Sequence, residues 1–166
     1  ATAAAARNSA RGSTKVIAHE KNLGKGAAIR TALAAATGDL VLIQDADLEY
    51  DPADYAALLK PFEEGRAEVV YGSRILKAGN GRSYARYYWG GRVLSWWTNL
   101  LYGSHVSDEP TCYKVFNTKL LRSLDLRCEG FEFCPEVTAK VLRRGIAINE
   151  VPISYHPRRI EEGKKI

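Results

Sequence analysis

The order of apolar and polar positions in the first half of the chain predicts short strands that alternate with helices. Apolar runs of strand length lie at residues 16–18, 40–43 and 69–71. The segments between them, 24–36 and 51–65, place apolar side chains three and four positions apart, which is the period of a helix. This alternation predicts right-handed crossovers and an α/β fold with a mostly parallel sheet flanked by helices.

The second half of the chain has a different pattern, with more helix and many aromatic residues. Residues 84–102 contain seven of the 16 aromatic residues, including all three tryptophans. Within this segment Trp89, Val93, Trp96 and Leu100 recur at helical spacing. Two further helices and a final strand are predicted at residues 117–124, 135–144 and 146–155.

The aromatic stripe has two interpretations. It fits an amphipathic helix whose apolar face packs on the core. It equally fits an interfacial helix whose Trp and Tyr rings lie at the headgroup boundary of a lipid layer, while Arg82, Arg86 and Arg92 meet phosphates. No apolar run in the sequence approaches the roughly 20 residues of a membrane-spanning helix. Any membrane contact of this sequence is therefore expected to be peripheral.

Length and composition indicate one globular domain over residues 1–166. The chain is 46% hydrophobic and 26% charged, which excludes a disordered or collagen-like protein. Its three cysteines are an odd number without a CxxC pair, which argues against a disulfide scaffold or a zinc ribbon. We interpret them as buried thiols in a reducing compartment, which predicts a cytoplasmic location or one at the cytoplasmic face of a membrane.

Charge is strongly segregated along the sequence. Residues 39–73 contain nine acidic and two basic residues, whereas residues 74–92 contain five basic residues and no acidic one. The first 38 residues also have a net charge of +5. An acidic centre between basic segments is typical of a site that binds a cation together with anionic groups, although solvated faces would give the same pattern.

Two carboxylates provide the most specific chemical signal. Asp45 and Asp47 directly follow the apolar run 40–43, at the carboxyl end of a predicted buried strand, where α/β sheets bind ligands. Residues two apart on a strand point to the same side, so the two carboxylates are expected to converge. Because nearby carboxylates repel unless a cation lies between them, the pair predicts a site for Mg²⁺ or Mn²⁺. Glu49 is a candidate third ligand.

A glycine-containing loop precedes the first predicted long helix. In residues 21–26 (KNLGKG), Gly24 and Gly26 flank Lys25. Glycines at the start of a helix allow backbone N–H groups to approach a phosphate, with help from the helix dipole. The run lacks the Walker A spacing, and by itself it is more typical of a plain turn.

Several motifs in a fixed order resemble family 2 glycosyltransferases with the GT-A fold, and most closely the branch of dolichyl- and polyprenyl-phosphate mannosyl- and glucosyltransferases. They extend over nearly the whole chain. The motifs lie at residues 22–28 (NLGKGAA), 44–49 (QDADLE), 71–74 (YGSR), 108–116 (DEPTCYKVF), 131–136 (FEFCPE), 150–153 (EVPI) and 162–166 (EGKKI).

The resemblance implies inverting transfer of a hexose from a UDP- or GDP-linked sugar to a lipid phosphate such as polyprenyl or dolichyl phosphate, at a membrane surface. Asp45, Asp47 and Glu49 match the motif that binds metal and diphosphate in this family. Arg74 matches an arginine that meets phosphate, and Asp108 an acidic residue that is the catalytic base in many relatives. The other matched residues, on the nucleotide side and as further phosphate contacts, are Asn22, Gly24, Lys25, Lys114, Arg158 and Arg159.

The sequence departs from the family pattern at its beginning, where the family's first strand, helix and second strand have no counterpart. This predicts a GT-A domain truncated at both ends. Two alternatives remain open, namely a nucleotide- or membrane-binding module without catalysis and a haloacid-dehalogenase-type phosphatase with Asp45 as nucleophile. Nucleic acid is not an expected partner, because the acidic centre would repel a phosphate backbone.

Overall fold

The computed structural model describes residues 2–81 and 84–158 and confirms the α/β class. Its helices are α1 Thr2–Ser9, α2 Lys25–Ala35, α3 Tyr55–Glu63, α4 Ala85–Tyr102, α5 Thr118–Ser123 and α6 Phe133–Arg143. Its strands are β1 Leu40–Ile43, β2 Val69–Ser73, β3 Lys114–Asn117 and β4 Asn149–Pro152. A short 3-10 turn, Pro52–Asp54, leads into α3, and the Asp51 carboxylate caps it by accepting from the N–H of Ala53 at 2.9 Å.

The sheet is mixed, which corrects the expectation of a mostly parallel one. Its strand order is β1-β3-β2-β4. The crossover through α3 makes β1 and β2 run in the same direction, as predicted, but they are not neighbours. β3 inserts between them and pairs antiparallel with both, while β2 and β4 pair in parallel. The chain reaches β3 from α4 and a loop at the carboxyl end of the sheet, so β3 runs back through it.

Two other predictions about strands were wrong. Residues 16–18 form no strand, and Ile17 is 45% exposed. Three extended residues are stable as a strand only beside a paired neighbour, and none of the four strands in the described part of the chain pairs with them. The final strand is confined to β4 rather than covering residues 146–155, with Tyr155 in an isolated bridge to Tyr50.

The core lies on both faces of the sheet because neighbouring strand residues point to opposite sides. On one face Val69, Tyr71 and Phe116 pack against α2, α5 and α6. On the other face Val70 and Val115 pack with α3 and with several tyrosines. The carboxyl ends of β1, β2 and β4 and the start of β3 therefore meet at one edge of the sheet, where the sequence places its charged motifs.

Helix α4 is largely exposed, so the interpretation of its aromatic stripe as core-facing was wrong. Trp89 and Trp96 are 64% and 58% exposed. The helix contacts the rest of the chain through small residues: Ser95 is buried and its hydroxyl accepts from the N–H of Glu109 at 2.9 Å. Within the described residues, no helix combines the length and apolar character needed to cross a bilayer.

Candidate active site

An open cavity of about 670 Å³ lies between the carboxyl edge of the sheet and the first half of α4. Acidic and basic side chains both line it, and the part lined by the end of β2 and by α4 is called its basic side. The acidic ones come from the loop after β1 and from the loop before β3, and the basic ones from the end of β2 and from α4. The charged lining residues are Asp47, Glu49, Asp108, Arg74, Lys77, Arg86 and Arg92.

The predicted acidic pair lies directly after β1, and each of its carboxylates faces one cation. The two oxygens of Asp45 lie 2.8 and 2.9 Å from the Nζ atom of Lys25. Asp47 Oδ2 lies 3.2 Å from Nη2 of Arg158. Burial acts to lower the pKa of Lys25, but the neighbouring Cys112 sulfur and the Asp45 carboxylate raise it above its usual value. Lys25 is therefore a permanent positive charge beside the pair.

Glu49 shares Arg158 with Asp47 and is the more buried of the two carboxylates. It is 7% exposed, and its Oε1 accepts from the backbone N–H of Arg158 at 3.0 Å. Its Oε2 accepts from the hydroxyl of Tyr155 at 3.3 Å. The carboxylate thus fastens residues 155–158 to the acidic loop. The side chain of Glu49 is 9% exposed, against 25% and 26% for Asp45 and Asp47, which weakens the case for Glu49 as a metal ligand.

The fit of a divalent cation rests on the two aspartates. Carboxylate oxygens are the ligands that Mg²⁺ and Mn²⁺ prefer, and Asp45 and Asp47 are both partly exposed. Among the described residues, however, no group of three or more His, Cys, Asp or Glu side chains is arranged to hold a metal. The pair therefore fits a cation whose remaining ligands are supplied by a bound phosphate and water.

Arg74 and Asp108 form a bidentate ion pair on the basic side of the cavity. Nε of Arg74 lies 2.7 Å from Asp108 Oδ2, and Nη2 lies 2.7 Å from Oδ1. The backbone N–H of Arg74 donates to the same Oδ2 at 2.9 Å. Burial acts to lower the pKa of Arg74, but the hydrogen bonds that it donates to Asp108 outweigh this effect and raise that pKa. The guanidinium is held rigidly at the edge of the cavity, and both oxygens of Asp108 are occupied.

The glycine loop does not form the predicted phosphate cradle, because its N–H groups already have partners in the protein. Gly24 donates to the side-chain oxygen of Asn22, and Gly26 donates to the carbonyl of Gly130. A Cβ atom on Gly24 would lie 2.3 Å from the carbonyl oxygen of Glu129, so this glycine allows close packing of two loops. Asn22 and Gly24 line a second cavity of about 330 Å³. A role for them on the nucleotide side stays a prediction.

Lys114 is not a phosphate contact, contrary to the expectation from the motif. It is fully buried at the start of β3, and its Nζ donates to the carbonyls of Glu109 and Thr111 at 2.6 and 2.9 Å. The ammonium also lies 3.8 Å from the centre of the Tyr71 ring, in a cation–π contact. It stabilises the loop before β3. Arg82, Arg159 and the motif at 162–166 lie outside the described residues.

Sequence reasoning missed three basic residues of the cavity and one thiol. Lys77, Arg86 and Arg92 line the same cavity as Arg74, although the sequence analysis placed the two arginines only on a possible lipid-facing helix. The available signal was the block 74–92, which has basic but no acidic residues. Cys112 also lines the cavity, 3.2 Å from Nζ of Lys25, and burial raises its pKa to about 12. All three cysteines are free thiols, as predicted, but only Cys134 is buried, whereas Cys112 and Cys128 are partly exposed.

Comparisons with known proteins point to one family. The sequence pattern described as glycosyl transferase family 2 matches residues 1–125. The low-salt glycan biosynthesis hexosyltransferase Agl6 of Haloferax volcanii is 30% identical over 138 residues, which are 81% of this chain and 33% of that protein. The UDP-N-acetylglucosamine–dolichyl-phosphate N-acetylglucosaminyltransferase of Methanococcus voltae is 33% identical over 147 residues, 84% of this chain and 59% of that protein. The chain thus spans a third to three-fifths of these relatives.

Solved structures support the fold independently. Glucosyl-3-phosphoglycerate synthase from Mycobacterium tuberculosis, in complex with Mn²⁺ and UDP-glucose, superimposes with a TM-score of 0.57 at 24% identity. The match covers 84% of this chain and 49% of that one. A second mycobacterial protein gives a TM-score of 0.63 at 22% identity, over 84% of this chain and 46% of that one. At this level of identity the similarity concerns the fold.

Proposed function

The chain belongs to glycosyl transferase family 2 and has the GT-A fold, and from this premise we propose that it carries the active site of an enzyme that transfers a hexose from a nucleotide sugar to a polyprenyl or dolichyl phosphate. One observation carries the proposal: a single cavity is lined both by Asp47 of the acidic pair and by four cations, Arg74, Lys77, Arg86 and Arg92. Such a cavity suits two anionic substrates, one of which binds through a metal ion. The family membership gives the phosphatase alternative no support.

On the donor side, Asp45 and Asp47 would hold Mg²⁺ or Mn²⁺ against the diphosphate of the nucleotide sugar. The ion supplies charge neutralisation for the departing nucleoside diphosphate without a proton transfer. Lys25 and Arg158, which contact the two carboxylates, are further cations within reach of the same diphosphate. The complex of a structurally similar protein with Mn²⁺ and UDP-glucose supports this assignment.

On the acceptor side, the four cations that line the cavity would orient a phosphate that needs no general base. A phosphate monoester has a second pKa of about 6 and is therefore largely ionised near neutral pH. One of its oxygens attacks the anomeric carbon while the bond from that carbon to the diphosphate oxygen breaks, with inversion at the carbon. Since both oxygens of Asp108 are bound to Arg74, we assign Asp108 the task of holding the guanidinium rather than of taking a proton.

The exposed face of α4 would rest on the lipid surface that carries the acceptor. Large apolar side chains of this helix face solvent, and Arg86 and Arg92 of the same helix line the cavity. Trp at a headgroup boundary and Arg near phosphates are typical of peripheral membrane helices. This arrangement would present a lipid phosphate to the cavity from the cytoplasmic face while the isoprenoid stays in the bilayer.

Transfer assays with matched variants test the proposal. We expect the chain, supplied with Mn²⁺, a panel of UDP- and GDP-sugars and a short polyprenyl phosphate, to form a glycolipid with one donor. Asp47→Asn should lower the rate by at least about a hundredfold, since one carboxylate of the pair is lost. Asp51→Asn, in the same loop but bound to the N–H of Ala53, is the control. Nucleotide binding without transfer under any of these conditions would favour the non-catalytic module instead.

A further inference from the structure

A half-buried carboxylate that the proposed chemistry does not use lies behind the Arg74–Asp108 ion pair. Glu150, on β4, accepts three hydrogen bonds from the loop that carries Asp108. Its Oε2 accepts from the backbone N–H of Ser107 at 2.7 Å. Its Oε1 accepts from the hydroxyl of Ser107 at 3.0 Å and from the backbone N–H of Asp108 at 3.1 Å. One carboxylate thus fixes two consecutive peptide groups, which sets both the position and the rotation of this stretch.

A chain of hydroxyl groups extends this network to the segment that carries Arg74. The hydroxyls of Ser107 and Ser73 lie 2.7 Å apart. The Ser73 oxygen also accepts from the N–H groups of Ile75 and Leu76 at 3.2 and 3.3 Å. Since the Ser107 hydroxyl donates to Glu150, the Ser73 hydroxyl donates to Ser107. Glu150 therefore supports both sides of the ion pair, through the loop of Asp108 and through the end of β2.

The ion pair needs this support because its geometry is demanding. Two parallel hydrogen bonds join the planar guanidinium of Arg74 to Asp108, and a third comes from the backbone N–H of Arg74. A displacement of the Asp108 backbone by about 1 Å would break at least one of them. The pair reaches into the cavity, so its orientation decides how the remaining guanidinium N–H groups meet an anion.

We propose that Glu150 is a positioning residue, which fixes the Arg74–Asp108 pair in the cavity through Ser107 and Ser73. The effect of this positioning on catalysis rests on the proposed function, in which Arg74 orients the acceptor phosphate. Glu150 itself touches neither substrate. The same carboxylate joins β4 to the loop before β3, so the network links the sheet directly to the basic side of the cavity.

Glu150→Gln is the sharpest variant because it keeps the shape of the side chain and replaces one acceptor oxygen by an NH₂ donor. Whichever way the amide turns, that donor faces a backbone N–H of Ser107 or Asp108. Glu109→Gln is the matched control. Glu109 is a buried carboxylate in the same loop, but its side chain is bonded to Thr138 on the other side, at 3.2 Å.

The rate of hydrogen exchange at the Arg74 Nε–H measures directly how well the hydrogen bond to Asp108 protects this group. It is measured by ¹⁵N NMR without any substrate. The signal is assigned by its absence in Arg74→Lys. Glu150→Gln should speed this exchange by about tenfold or more, the effect of losing a charged hydrogen bond. Glu109→Gln should leave it within about twofold of the wild-type rate. Unchanged exchange in a folded Glu150→Gln protein would overturn the proposal, as would equal acceleration by both variants.

If Glu150→Gln does not fold, two milder variants test whether Glu150 positions the ion pair. Ser107→Ala removes only the hydroxyl that joins Glu150 to Ser73, and Glu150→Asp keeps the charge but shortens the side chain. Both should speed the Arg74 Nε–H exchange relative to the wild type, but less than Asp108→Asn does. Wild-type exchange in both variants would refute the network.

The kinetic test separates this inference from the proposed function. If the chain transfers sugar, Glu150→Gln should lower kcat by about tenfold and leave the affinity for nucleotide within about threefold, because Arg74 acts on the acceptor side. A change confined to nucleotide affinity would contradict the assignment. If no transfer occurs at all, the proposed function fails, while the exchange measurement still decides the role of Glu150.

Discussion

Asp108 is the residue whose motif and contacts point to different roles. The family resemblance implies a catalytic base, yet both of its oxygens hold the guanidinium of Arg74, one of them also accepting the backbone N–H of Arg74. Each carboxylate oxygen of Asp108 thus already accepts a hydrogen bond from Arg74. The structure therefore favours an arginine that is held ready for a phosphate.

Replacing Arg74 by Lys keeps the charge and removes the planar fork. We expect Arg74→Lys to lower kcat by about a hundredfold, because a lysine cannot bind Asp108 and a phosphate with paired parallel hydrogen bonds. The affinity for nucleotide should change by less than about threefold, since the acidic pair is untouched. Steady-state kinetics with a polyprenyl phosphate measure both, and an unchanged kcat would remove the assigned role of Arg74.

Glu136 on α6 gives a prediction about pH. It accepts from the N–H groups of Arg127 and Cys128, each at 2.9 Å. Burial acts to raise its pKa, but hydrogen bonds from Cys128 and Lys140 outweigh it and lower that pKa to about 2. A lowered pKa in the folded state means that the carboxylate stabilises the fold above its ordinary pKa. That stabilisation is lost as pH falls from about 4.5 towards 2.

Glu136→Gln should therefore reduce the free energy of unfolding by about 1 kcal/mol at pH 7, and the difference should vanish near pH 2. Urea denaturation at several pH values measures it, with exposed Glu63→Gln as the control. A difference that persists unchanged at pH 2 would contradict the hydrogen-bonding role of the carboxylate.

At the scale of elements, β3 shows where the sequence was informative and where it was not. Long helices and the strands β1 and β2 follow from apolar periodicity alone. β3 was missed because Lys114 interrupts a short apolar run, and this buried lysine is stabilised by the carbonyls of Glu109 and Thr111 and by the ring of Tyr71. No local pattern encodes those contacts, nor the insertion of β3 between β1 and β2.

For the candidate site, too, the sequence predicted some features and not others. The acidic pair was predicted because it follows a strand whose end marks the ligand edge of the sheet, whereas Arg74 was expected only from the family resemblance. The contacts that decide what each residue does join positions far apart in the sequence, such as Arg158 with Asp47 and Arg74 with Asp108. The spacing of residues in a sequence does not determine such pairings, so roles were predicted less well than locations.

The packing of β2 against its neighbours gives a prediction at this scale. A Cβ atom on Gly72 would lie 2.7 Å from a methyl group of Ile153 and 3.0 Å from Cβ of Tyr113. Gly72→Ala should therefore lower the free energy of unfolding by about 1–3 kcal/mol. Gly38→Ala is the control, because its nearest neighbour would be at 3.6 Å. Equal stability of the two variants in urea denaturation would show that the sheet adapts without strain.

At the scale of the whole molecule, the segregated charge of the sequence becomes a cavity lined by both acidic and basic side chains, next to an exposed apolar helix. The proposed peripheral membrane contact depends on that helix. Trp89→Ser with Trp96→Ser should reduce sedimentation with anionic vesicles by about tenfold, since two interfacial rings are lost. The melting temperature should change little, because both side chains are mostly exposed.

Phe131→Ser provides the control for this double variant. Phe131 is 72% exposed, but it lies in the loop before α6 rather than on α4. We expect this variant to bind vesicles as the wild type does. Equal loss of vesicle binding in both variants would indicate nonspecific apolar adsorption rather than docking through α4.

The central claim is that Asp45 and Asp47 bind one divalent cation, which in turn binds the diphosphate of a nucleotide. Calorimetric titration of UDP and GDP into the protein, with and without Mn²⁺, tests it most directly, with Asp47→Asn beside the wild type. We predict that Mn²⁺ strengthens binding of one nucleotide by at least about tenfold in the wild type and has no effect in Asp47→Asn. The claim would be contradicted if the nucleotide affinity of the wild type were the same with and without Mn²⁺. It would also be contradicted if Mn²⁺ strengthened nucleotide binding equally in Asp47→Asn.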